Sequence, residues 1–202
     1  MENPRRLGAG ELIAREFIAS IGRRRFLGRG LLLVLVSAGR HVFAQVAAPL
    51  RYRPLARPVV VPLADLSVPL RARSFVASAA TLATAAKPNE PIRISGFIVR
   101  TAATDNQPER FSAVCQRCPH EHCDVDFVRD PGELPPEVVQ EIGRVVKEPI
   151  YICPCHNSTF TTTDGERLAG PAPRGLYRFR VTRVTETGVE IGEVEEDLLV
   201  FG

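Results

Sequence analysis

Two short strings constrain this chain more than anything else in it: Cys118-Pro119-His120-Glu121-His122-Cys123 and, after 29 further residues, Cys153-Pro154-Cys155-His156-Asn157-Ser158. Each offers a thiolate and an imidazole at ligand spacing. A C-x-H frame pairs Cys118 with His120, and a C-x-x-H frame pairs Cys153 with His156, so the two loops together supply two sulfurs and two nitrogens for one centre. Cys123 and Cys155 are then spare, one per loop. Loops that meet at one centre bring their spare cysteines close, and a disulfide is the economical use of both.

Two cysteinates on one iron and two neutral histidines on the other make the mixed ligation of a [2Fe-2S] centre whose potential lies above that of an all-cysteine cluster. A ring nitrogen that does not bind iron can carry a proton, and oxidation of the iron makes that proton more acidic, so electron and proton transfer are coupled.

The residues around these strings resemble the Rieske protein family, specifically its disulfide-containing branch, the iron-sulfur subunits of cytochrome bc-type complexes. The family boxes read C-T-H-x-G-C and C-P-C-H-G-S and are followed by a Gly-Pro-Ala-Pro loop; Gly170-Pro171-Ala172-Pro173 stands in the corresponding place here. The likeness covers roughly residues 91 to 202. It implies Cys118, His120, Cys153 and His156 as ligands of a [2Fe-2S] cluster. It also implies a Cys123–Cys155 disulfide, a hydrogen bond from Ser158 to a bridging sulfide, and Pro171 to Pro173 as a cover over the cluster. This chain departs from the family at His122 and Asn157, where the family has glycine, at Glu121, where an apolar residue is usual, and at Phe160, where the family has tyrosine. Histidine takes a left-handed backbone less readily than asparagine, so the first loop is expected to be reshaped. The missing Phe160 hydroxyl is expected to lower the potential.

A zinc site is the alternative use of these residues. Cys115, Cys118, Cys153 and Cys155 could make a four-thiolate set, making the chain a zinc-stabilised binding module, but that reading has no use for the paired Cys/His frames or the proline loop. Cys115 closes the strand-like run Phe111 to Cys115, where a small buried thiol is expected. A catalytic oxygenase would need two further histidines and a carboxylate for a mononuclear iron. Only four histidines exist, three in the two strings and His41 near the N-terminus, so no independent catalytic site is expected.

Residues 1 to 44 are expected to be a leader. Arg23-Arg24-Arg25-Phe26-Leu27 resembles a twin-arginine signal ahead of an apolar stretch from Gly30 to Gly39, and implies export to the periplasm or the outer face of the cytoplasmic membrane. That stretch is about half the ~20 residues of a spanning helix, which favours a removable signal; the resemblance favours a retained membrane anchor. The leader carries eight arginines against three acids, residues 45 to 80 five arginines against Asp65, and residues 81 to 202 thirteen basic against nineteen acidic groups. A basic neck and an acidic head argue against nucleic acid and suit a membrane surface or a basic cytochrome.

Prolines at 49, 54, 58, 62 and 69 exclude a long helix and indicate an extended linker or edge strand, so residues 45–90 are expected to form a Pro-rich neck with the first strands. Apolar runs at 74–77, 92–99, 111–115, 150–153, 177–184, 189–194 and 198–201 then indicate a mainly β, small antiparallel domain over 91–202. Val138, Val139, Ile142, Val145 and Val146 recur at helical spacing after Pro135-Pro136, so a helix over 137–147 is expected between the two strings. Within this framework the resemblance implies an electron carrier between a quinol-oxidising cytochrome b-type subunit and a cytochrome acceptor. The alternative is the small Rieske subunit of a periplasmic oxidoreductase of the arsenite-oxidase type.

Overall fold

The computed structural model describes residues 49–101 and 105–200. The leader expected over residues 1–44, with its signal or anchor, lies outside them. Among the described residues no helix is long and apolar enough to cross a membrane.

Among the described residues ten strands and one α-helix follow in chain order: β1 (Tyr52–Pro62), β2 (Arg73–Ala80), β3 (Pro91–Arg100), β4 (Phe111–Cys115), β5 (Asp126–Val128), α1 (Pro136–Ile142), β6 (Ile150–Ile152), β7 (Thr159–Thr161), β8 (Arg167–Ala169), β9 (Arg178–Val184) and β10 (Gly188–Glu195). The larger antiparallel sheet has the order β1-β10-β9-β4-β3-β2, and its two edge strands approach one another, so it nearly closes into a barrel. Side chains alternate across each strand: Phe75, Ala77 and Ala79 of β2 are buried, whereas Ser74, Val76 and Ser78 face solvent. The buried set meets Ile94, Ile98, Phe179, Val189 and Ile191 in the barrel core. Pro54, Pro58 and Pro62 all fall in β1, where an edge position spares the sheet their missing N–H groups.

The smaller sheet, β5-β6-β7-β8, carries the two Cys/His strings. The first string fills the turn before β5, and the second joins β6 to β7. β5, β7 and β8 have three residues each, too few for alternation to register in the sequence. The helix of the insertion is shorter than its apolar spacing suggests. It ends at Gly143, whose φ of +69° permits the left-handed stop, and its N–H closes the last turn onto Val139 and Gln140. Val138 is buried with Leu134 and Ile150, and Ile142 and Val146 pack on them, whereas Val145 is 80 % exposed instead of joining that face.

The last apolar run is not a strand. Residues Glu196–Val200 form a 3-10 turn, which is how the consecutive Leu198 and Leu199 both reach the core; a strand would put one of them in solvent.

Candidate metal centre

The two strings fold into loops with one backbone trace. In the first, the Cys118 N–H donates to the Cys123 carbonyl at 2.8 Å and the His122 N–H to the Cys118 carbonyl at 3.0 Å; in the second, Cys153 donates to Ser158 at 2.8 Å and Asn157 to Cys153 at 2.9 Å. Both loops turn through a left-handed residue, His122 at φ +59° and Asn157 at φ +56°. The first loop thus keeps a left-handed turn at His122 and the same hydrogen-bond pattern as the second. Its hydrogen bonds hold His122 in a conformation that costs a non-glycine residue about 1–2 kcal/mol. A disulfide, Cys123–Cys155, ties the loops together with an S–S distance of 1.99 Å and a Cα–Cα distance of 6.5 Å.

The trace sorts the donors by depth. Cys118 and Cys153 are buried, at 0 % and 2 % exposure, and pack in one cluster of buried side chains. His120 is half-buried and His156 exposed, their rings edge to face with centroids 4.9 Å apart. Two sulfurs thus lie inside and two imidazoles outside, an arrangement that fits a two-iron cluster with cysteine on the inner iron and histidine on the outer. His122 stands exposed one turn away, and Glu121 lies at the tip with His120 and His156.

Burial pushes the Cys118 thiol upward, as does the adjoining Cys153, while the His120 backbone N–H and the Ser158 hydroxyl act downward. Both groups favour the loss of the proton that metal binding requires. Ser158 is fully buried, and its Oγ also accepts the Ala172 N–H at 3.1 Å, so it links the second loop to Gly170-Pro171-Ala172-Pro173. Ala172 packs in one buried cluster with Cys118, Cys153, Phe160 and Tyr151, whereas Pro171 and Pro173 are exposed. Phe160 pairs across the sheet with Tyr151, which stacks on Phe97 at 5.3 Å. The buried Tyr151 hydroxyl has no hydrogen-bond partner among the described residues.

Sequence reasoning missed the groups that fasten the proline loop. Glu141 of α1 accepts the Gly170 N–H, and Arg167 of β8 donates to the Gly170 carbonyl. Arg174 bridges the fully buried Glu195 carboxylate and Asp197 and covers the Tyr177 ring at 4.5 Å. Glu141 and Arg174 have no local signature, because each acts on a partner far along the chain. Cys115, by contrast, is the free buried thiol that its place at the end of β4 suggests, pushed up to about 12 by burial.

The sequence model of the Rieske [2Fe-2S] domain matches residues 78–181, just over half the chain. The chain belongs to the Rieske [2Fe-2S] domain family. No curated protein matches it as a relative. A Rieske domain binds a [2Fe-2S] cluster and transfers electrons, so this is an iron-sulfur electron-transfer protein. The mainly β architecture and the disulfide-tied loops agree with that family. The Rieske match begins within β2, and both strands of the proline-rich stretch, β1 and β2, belong to the same sheet as the strands that follow.

Proposed function

We propose that Cys118, His120, Cys153 and His156 hold the cluster, and that the protein is the Rieske subunit of a quinol-oxidising cytochrome bc-type complex, passing electrons to a cytochrome. The observation that carries this reading is the depth order of the donors, with two buried thiols inside and two imidazoles at a tip where the His156 side chain is 46 % exposed. When bound, the cluster supplies a one-electron carrier. The exposed imidazole can accept a quinol hydroxyl hydrogen bond and take its proton at the ring nitrogen left free by metal. Phe160, Tyr151 and Ala172 keep water from the inner side, and the Cys123–Cys155 disulfide braces the tip for contact with a partner. The twin-arginine-like leader supports delivery of the folded protein to the periplasmic face of the membrane, as a signal that is removed or an anchor that stays, in a compartment where a disulfide persists. A cytochrome b-type subunit and a cytochrome acceptor are its partners.

A redox titration of the purified protein, followed by electron paramagnetic resonance, tests the cluster. A reduced [2Fe-2S] signal titrating within about −150 to +300 mV is expected. Replacing any of the four proposed ligands abolishes the signal, and His122→Ala keeps it; an iron-free His122→Ala preparation overturns the ligand set. The complex is tested by isolating the protein from its native membranes. Co-purification of b-type haem with quinol-dependent cytochrome reduction is expected, and a preparation with neither overturns the bc-type assignment in favour of the smaller oxidoreductase.

A further inference from the structure

Gly170 is gripped from both sides. Glu141 Oε1 accepts its N–H at 3.1 Å, and Arg167 Nη1 donates to its carbonyl at 2.7 Å. The residue has no room to move toward the second loop, since a Cβ on it would lie 2.4 Å from Ser158 Cα and 2.9 Å from Ser158 Oγ; its φ is +91°. Two residues on, the Ala172 N–H donates to the fully buried Ser158 Oγ at 3.1 Å, and Ala172 packs in one cluster with Cys118 and Cys153. The place of Gly170 therefore governs the place of the Ser158 hydroxyl beside the two thiols.

We infer that Glu141, on the helix inserted between the two loops, is a positioning residue for the metal centre: by holding the Gly170 N–H it keeps the proline loop in the register that holds the Ser158 hydroxyl toward the centre. This rests on the reading that Cys118 is a cluster ligand. A hydrogen bond to a sulfur of the centre favours the reduced, more negative cluster, so loosening the grip lowers the potential. Removing the Glu141 charge acts the other way. Glutamine separates the two effects, because it loses the charge and keeps an acceptor oxygen.

The test compares Glu141→Ala with Glu141→Gln in the full-length protein, by EPR-monitored titration and by hydrogen exchange at Gly170 and Ala172. The expected result is a potential for Glu141→Ala below that of Glu141→Gln, with both amides exchanging severalfold faster in the alanine variant only. Equal potentials, or a higher one for Glu141→Ala, overturn the inference, as does unchanged exchange. If His120→Ala keeps a wild-type cluster signal, the ligand assignment fails instead, while the exchange data still decide whether Glu141 holds the loop.

Discussion

A carboxylate oxygen of Glu121 lies 3.7 Å from Nδ1 of His156, so the first loop reaches across to the imidazole of the second. Both side chains are about half exposed, so water screens the pair. A negative charge beside the centre still favours its oxidised state. Glu121→Gln should raise the potential by up to roughly 40 mV, the one-electron equivalent of about 1 kcal/mol for unit charges at this distance in water. Voltammetry at low and high salt checks this, and the difference should shrink with salt.

Phe160 is fully buried in the cluster of side chains that contains Cys118 and Cys153, where the family tyrosine would donate a hydroxyl. Phe160→Tyr should raise the potential by adding a hydrogen bond to sulfur. Ser158→Ala should lower it, and should also orphan the Ala172 N–H. A titration in which Phe160→Tyr leaves the potential unchanged or lower would sink the hydrogen-bond account.

The Cys123–Cys155 disulfide joins loops that are otherwise anchored to different strands. Cys123→Ser should destabilise the domain by about 2 to 5 kcal/mol and shorten the lifetime of the bound cluster. Denaturant unfolding and the decay of visible absorbance measure the two effects separately.

His122 and Asn157 occupy equivalent left-handed positions. His122→Gly should stabilise the protein by about 1 kcal/mol, and Asn157→Gly by less, because asparagine already tolerates this conformation. Urea midpoints in the opposite order would show that side-chain contacts outweigh backbone strain.

Burial holds the Cys115 thiol protonated up to about 12, against an ordinary value of 9.0. The folded state therefore keeps a proton that the unfolded chain releases, and the associated stability is present below pH 9 and lost as pH rises from 9 toward 12. The slope is on the order of 1 kcal/mol per pH unit in that window. Urea unfolding from pH 8 to 11 should show the decline, and Cys115→Ala should make it shallower.

The sequence by itself determined the chemistry of the centre and the character of the fold. The Cys/His frames and the proline loop are local strings whose spacing carries ligand geometry, and the apolar runs of β2, β3, β4, β9 and β10 are long enough to read as strands. Tertiary structure decided the rest. Only packing shows that three-residue strands pair into the smaller sheet, that α1 stops at Gly143 and leaves Val145 in solvent, and that Leu198 and Leu199 turn inward together. It also decided that His122 keeps the glycine-like trace, because two hydrogen bonds across the loop outweigh a local preference against it. The grip of Glu141 on Gly170 was invisible in the sequence for the same reason: they stand 29 positions apart, and the contact exists only once the insertion has packed beside the proline loop.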